Sequence, residues 1–388
     1  MVANIKKGRS MIKNVLISLD SFKGSISSKE ANIQLQKGIE SINPQLNIKC
    51  VPIGDGGEGT IESIIEELDG DIKMITSVNS KDNPIDVSIG LVGDKIFIQS
   101  SNIIGLDRLT EKPNAYVDSS RGLGIVIEKA LEYNPSEIIV TLGGSAISDM
   151  GIGMLDYLGA NFYDKDSVKF SPKGTDGLIN IHSLDFIDLN NEVFNTKFTI
   201  LSDVENTLLG KNGCIYVYGE QKGLNKKDFN AIDKEISRVS SMIEEEIGKE
   251  FSNAKFSGAA GGLGFAFMSI FNARSFSGIE KILEITKMED KIIKSDLIIT
   301  GEGSMDLQTY HGKAPIGISN LAKKHNKLCF AVTASNNLIN ENYEEYFDYI
   351  FNLQNKPMDL DSSIKYSSEL LYYQGRQVAR IINLINKI

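Results

Sequence analysis

Five short apolar runs each end at an acid flanked by glycine or serine. Val15–Leu19 ends at Asp20, Ile48–Ile53 at Asp55 and Glu58, and Ile138–Leu142 leads to Asp149. Phe198–Leu201 ends at Asp203, and Leu297–Thr300 at Glu302 and Asp306. In open α/β sheets ligands bind beyond the carboxyl ends of strands, so the pattern predicts that these acids share one crevice. Carboxylates gathered in that way repel one another unless protons, lysines or a metal ion offset their charge. A Mg²⁺-dependent site built from loops is the expectation.

Other loops could add to such a site. Gly54-Asp55-Gly56-Gly57-Glu58-Gly59 matches the G-x-G-x-x-G spacing between a strand and a helix. A dinucleotide turn holds pyrophosphate on neutral N–H groups, and two acids in that turn oppose it unless a metal bridges them. A structural glycine turn is the alternative. Gly312-Lys313 follows Glu302 and Asp306, but Leu307 and Ala314 exclude a Walker A loop. Lys313 there, and Lys23 beside Gly24, are cations able to meet phosphate, or else solvated surface charges. An N-cap or a solvated acid is the lesser alternative for Glu302. In Thr141–Gly153 the candidates are Gly143 and Gly144, Ser145 as a donor to an anion, and Asp149. In Ser257–Phe265, Gly261 and Gly262 permit either close approach to a ligand or tight packing. His182 and His325 read as structural or exposed, His311 retains a modest claim, and no G-x-S-x-G elbow is present.

The elements that must carry these loops alternate strand and helix at both ends of the chain. Ser27-x-x-Glu30 reads as a capping box before an apolar stripe through Ala31, Leu35 and Ile39. From about Ile72 to Leu109 alternating runs predict antiparallel strands, and Phe229, Ile232, Ile236, Val239, Ile243 and Ile247 form a helical stripe. The expected fold is α/β with two domains: a discontinuous Rossmann-like or flavodoxin-like parallel-sheet domain (11–75 and 290–388) and an inserted mixed α/β domain (76–289). Residues 1–10 read as an extension. The chain has 388 residues, 41% hydrophobic and 24% charged, with a net charge of −10. That charge argues against nucleic-acid or anionic-membrane partners, and no apolar run is long enough to span a bilayer. Cys50, Cys214 and Cys329 lack metal spacing and read as buried free thiols in a reducing cytoplasm.

Six stretches in order resemble the bacterial glycerate kinase family of type I, which includes glycerate 2-kinases. They are Asp20–Ser25, Gly56–Thr60, Gly143–Gly153, Gly210–Gly223 with its Gln221-Lys222-Gly223 ending, Gly258–Phe265 and Thr300–Lys313. The resemblance implies transfer of the γ-phosphoryl of ATP to D-glycerate with Mg²⁺, giving 2-phosphoglycerate or 3-phosphoglycerate. Whether the protein is a monomer or a homodimer is left open by the sequence. It implies Lys23, Asp55, Glu58 and Asp203 as catalytic residues and Asp203 and Glu302 as Mg²⁺ ligands. Substrate and nucleotide would be bound by Ser21, Gly56, Gly57, Gly143, Gly144, Ser145, Asp149, Gly261, Gly262, Asp306 and Lys313. Lys23 and Lys313 would meet phosphate, and Asp55 would be the base or hydroxyl anchor. The sequence departs from the family at Gly54 (usually alanine), Met150 (glycine), Thr207 (proline), Gln99 (glutamate) and Ser304 (arginine). Arg121 replaces an uncharged residue and is a candidate substitute for the missing arginine. These departures leave open another small hydroxy acid as substrate, or a catalytically weak regulator that binds nucleotide or glycerate.

Overall fold

The computed structural model describes residues 11–54, 60–305, 313–336 and 343–387. Asp55, Gly56, Gly57, Glu58, Asp306 and His311 lie outside the described residues. Two compact units are present. One holds residues up to 54, Glu62–Leu68 and the chain from Ile279 onward; the other holds 60–61 and Asp69–Gly278.

The first unit contains a five-stranded parallel sheet. Its strands are β1 (Asn14–Leu19), β2 (Asn47–Cys50), β11 (Leu297–Met305), β12 (Leu328–Asn336) and β13 (Tyr349–Asn352). Their order is β13-β12-β11-β1-β2. Counted within the unit, that is the flavodoxin-like order, in which the chain reverses direction across the sheet between β1 and β11. β1 is buried along nearly its whole length, as expected of a strand covered by helices on both faces. β2 is shorter than the apolar run to Ile53 predicts. Val51 still donates to the Ile17 carbonyl at 2.9 Å, but Pro52 has no N–H and the ladder stops.

Two helices of this unit, Ser28–Glu40 and Ser367–Ile385, cross at Gly38 and Gly375. A Cβ on Gly38 would lie 2.0 Å from the Tyr372 carbonyl oxygen, and one on Gly375 would lie 2.3 Å from that of Leu35. Ser27 caps the first helix by accepting from the Glu30 N–H at 3.2 Å. The unit's core is aliphatic and aromatic, including Leu19, Leu35, Ile299, Phe330 and Val378.

The second unit is built on a six-stranded mixed sheet. Its strands are β3 (Asp71–Val78), β4 (Pro84–Val92), β5 (Lys95–Gln99), β6 (Glu137–Leu142), β9 (Lys197–Ser202) and β10 (Arg274–Ser277). The order is β10-β9-β6-β5-β4-β3. β3, β4 and β5 are antiparallel neighbours, as the alternating runs predict, whereas β5, β6, β9 and β10 run parallel. β7 (Asn161–Tyr163) and β8 (Ser183–Asp185) form a separate antiparallel pair. Helix Phe229–Ile247 buries Phe229, Ile232, Ile236, Val239 and Ile243, the predicted stripe.

Ser257–Phe265 lies at the start of the segment Ala259–Ile270, which is helical apart from a break: Ala260, Gly261 and Gly262 have φ of 49°, 70° and 91°. At Gly261 a Cβ would sit 2.1 Å from the Ile147 carbonyl oxygen, so close packing accounts for this glycine. Cys214 and Cys329 are buried free thiols; Cys50 is only half-buried, because β2 lies at the sheet edge.

Candidate functional site

At the switch point of the first sheet, β1 and β11 are in register with Leu19 opposite Gly301. The Asp20 N–H donates to the Gly301 carbonyl at 2.8 Å, and the Ser21 N–H donates to the Asp20 carboxylate at 2.6 Å. The chain then turns sharply, closed by the Phe22 N–H on the Ile26 carbonyl at 2.9 Å, with Gly24 at φ 72°. Lys23 stands exposed on this turn. Gly303 faces it: a Cβ there would lie 3.2 Å from the Phe22 Cα.

On β11, Glu302 is 7% exposed, and its Oε2 lies 3.4 Å from Lys313 Nζ. Lys313 precedes the helix Ala314–Lys324, so its cation and the positive end of that helix occupy the same edge. The structure therefore places Asp20, Ser21, Lys23, Glu302 and Lys313 around two adjacent strand ends. Ser304 follows on β11, opposite Ser335, and is exposed.

In the second unit, Asp149 is fully buried after β6. Its carboxylate accepts from the Ser120 N–H and Oγ–H at 2.8 Å each, from Gly151 N–H at 3.0 Å and from Gly153 N–H at 3.4 Å. Burial raises its pKa despite those donors. These four donors make Asp149 a shaper of its own loop. Met150, where the family's glycine would stand, takes the left-handed backbone that glycine favours (φ 56°) with a fully buried side chain.

Ser145 meets a partner outside the predicted set. Lys222 is 3% exposed, and its Nζ donates to Ser145 Oγ at 3.0 Å and to the Ile147 carbonyl at 2.8 Å. Burial lowers the Lys222 pKa to about 8, although Cys214 and Asp149 pull it upward. Its place in the Gln221-Lys222-Gly223 stretch was the available signal, but residue type alone does not distinguish a buried ammonium from a surface one. Gly143 and Gly144 lie beside β5's end, with Gly144 at φ 58° and its would-be Cβ 3.7 Å from Ser101. Gly262 packs against Met150, where a Cβ would be 2.9 Å from the Met150 Cα.

Asp203 is exposed just beyond β9. The following turn is tied down without proline: Asn206 Nδ2 donates to the Asn212 carbonyl at 2.7 Å, and Tyr218 Oη donates to Asn206 Oδ1 at 3.1 Å. Arg121 belongs to the second unit, 3.6 Å from Asp82 Oδ1 and over the Tyr157 ring at 5.6 Å. His182 is exposed, and His325 pairs with Glu289 at 2.7 Å. No group of three His, Cys, Asp or Glu poised for a metal occurs among the described residues.

A parallel sheet with an acid and two lysines at neighbouring strand ends defines an α/β protein with a charged site at its switch point. Comparison with known proteins narrows that class. The model of the glycerate kinase family matches residues 15–383. A glycerate kinase of Halalkalibacterium halodurans is 31% identical over 97% of this chain and all of its own length. The glycerate 2-kinase of Escherichia coli K12 is 31% identical over 94% of this chain and 97% of its own. A crystal structure described as that of a glycerate kinase 2 from Salmonella typhimurium LT2 superposes with TM-score 0.87 and 30% identity, covering 98% of this chain and 100% of that one. The chain belongs to the glycerate kinase family, and it is a kinase. No helix among the described residues is long and apolar enough to cross a membrane.

Proposed function

We propose that the chain transfers the γ-phosphoryl group of ATP to the 2-hydroxyl of D-glycerate. The observation that carries this is the strand-end arrangement of β1 and β11, with Lys23, Glu302 and Lys313 around it, in a chain that aligns over nearly its whole length with glycerate kinases. The choice of the 2-hydroxyl follows the relative named glycerate 2-kinase.

Phosphoryl transfer asks a protein for alignment, for cations on the phosphates and for an acceptor of the hydroxyl proton. In this proposal Lys23 and Lys313 meet phosphate oxygens. Asp55 accepts the glycerate hydroxyl proton as that oxygen bonds to the γ-phosphorus and the bond to ADP breaks. Glu58 is proposed to share in the catalysis, and Asp306 in binding substrate or nucleotide.

Mg²⁺ usually keeps waters and takes one or two protein carboxylates beside phosphate oxygens. By residue type, exposed Asp203 and strand-end Glu302 each offer a carboxylate oxygen of that kind, each within its own unit. Bound with the nucleotide, the ion would offset charge on the β- and γ-phosphates.

The test is ATP consumption with a panel of small hydroxy acids, with and without Mg²⁺, and product identification by phosphorus–proton coupling. Glu302→Gln should cost roughly 100-fold in kcat, the scale of losing one electrostatic element. Absence of glycerate-dependent turnover refutes the proposal, and a 3-phosphoglycerate product refutes the regiochemistry. A second reading, another small hydroxy acid as acceptor, is favoured by Ser304, whose hydroxyl cannot clamp a carboxylate as an arginine does; the same panel separates the two.

A further inference from the structure

Beside Gly144, past the end of β5, lies a cavity of ≈150 Å³ lined by Ser101, Asn102, Gly105, Asp107, Arg108 and Gly144. A guanidinium only donates, so the Asn102 oxygen that Arg108 Nη2 meets at 3.1 Å must be Oδ1. That oxygen also faces Gln99 at 3.4 Å, which requires the nitrogen of the Gln99 amide there. The same Nε2 lies 3.0 Å from Ser101 Oγ, so the serine oxygen accepts. The Ser101 hydroxyl proton, the Asn102 Nδ2 protons and the remaining N–H groups of exposed Arg108 are then left to the cavity and the solvent at its mouth. Gln99 is 1% exposed, and its Oε1 has no hydrogen-bond partner. An unpaired buried oxygen is costly. It is tolerated here in the one orientation that turns the neighbours into donors.

We infer that this cavity is a carboxylate-binding subsite for a small hydroxy acid, with Arg108 as its specificity-determining residue and Gln99 as the residue that sets its polarity. A guanidinium with flanking hydroxyl and amide donors matches a carboxylate. The cavity is well below the ~300 Å³ of drug-sized sites, which suits a ligand of a few heavy atoms. A glutamate at position 99 would be acceptor-only: it would take the Ser101 proton and turn the Asn102 amide over. The identity of the acid rests on the proposed glycerate kinase activity; the anion selectivity of the cavity does not.

Two measurements on the full chain separate these. In steady-state kinetics, Arg108→Met should raise KM for D-glycerate about 10–100-fold with kcat and KM for ATP nearly unchanged, the scale of a lost charge-assisted bond. Arg108→Lys should recover part of that loss, and Gln99→Glu should reproduce it. Unchanged KM for glycerate in Arg108→Met, in protein whose melting temperature is unaltered, overturns the inference. Independently, D-glycerate and D-lactate titrations followed by NMR should show saturable binding to the natural protein, strongly weakened in Arg108→Met. Equal binding to both, or binding to neither, also overturns it. Loss of turnover with retained Arg108-dependent binding would refute only the kinase proposal.

Discussion

Lys222 shows how one residue couples burial to chemistry. An ammonium placed in the interior keeps its proton less readily than in water, and its pKa of about 8 lies below the usual lysine value of 10.5. Between those two values the unfolded chain binds more protons than the folded one, so folding stability rises with pH there. Lys222→Met removes the buried charge and with it this pH dependence. The stability difference between natural protein and variant, measured by denaturant melts from pH 7 to 10, should therefore shift in favour of the natural protein by about 1 kcal/mol or more. A flat difference would mean that Lys222 is solvated. Met150 stores strain of the opposite kind. Replacing it by glycine relieves a left-handed backbone worth about 1 kcal/mol but empties a fully buried site worth 2–5. The variant should be less stable by roughly 1–3 kcal/mol in urea melts. A more stable variant would show that the strain outweighs the packing.

At the scale of elements, helices Ser28–Glu40 and Ser367–Ile385 approach closely because two positions lack side chains. Alanine at Gly375 would put a methyl group against the Leu35 carbonyl and Gly38, so the helices must separate. The expected cost is about 2 kcal/mol or more, the upper range for overpacking, read as a lower melting midpoint. Gly24, at the tip turn, has nothing within 4 Å of a would-be Cβ, so alanine there costs only its positive φ, about 1 kcal/mol. Equal losses at the two sites would contradict the distinction between contact and conformation.

Across the whole molecule, the net charge of −10 makes acid the informative perturbation. Glu137 sits at the start of β6 between the neighbouring strand starts, with Lys95 at 2.8 Å and Lys197 at 3.1 Å. Burial pushes its pKa up, but Lys95, Thr199 and Lys197 overcome this and hold it at about 2. A carboxylate depressed in that way stabilises the fold above its ordinary pKa of 4.5, and the contribution is lost as pH falls toward 2. Glu137→Gln should cost about 2 kcal/mol at pH 7 and almost nothing near pH 2, since the lysine partners are half exposed. A pH-independent cost would assign Glu137 a packing role alone.

What the sequence determined by itself was periodic or local. Apolar runs and their spacing specify strands and helices, as in β6 or Phe229–Ile247, and glycine-flanked acids mark strand ends. The order of six short stretches sufficed to indicate the family, because loop chemistry is written in contiguous residues. Tertiary structure decided what depends on partners distant in sequence. Asp149 and Asp203 look alike in sequence, yet one is buried among four donors from Ser120, Gly151 and Gly153 and the other is exposed. Lys222 and Lys23 have the same side chain, but only the fold encloses one and leaves the other exposed. The donor character of the Arg108 cavity depends on which atom of each amide faces its neighbour. Hydrogen-bond direction and desolvation belong to assembled groups, so residue type cannot specify them before the chain has folded.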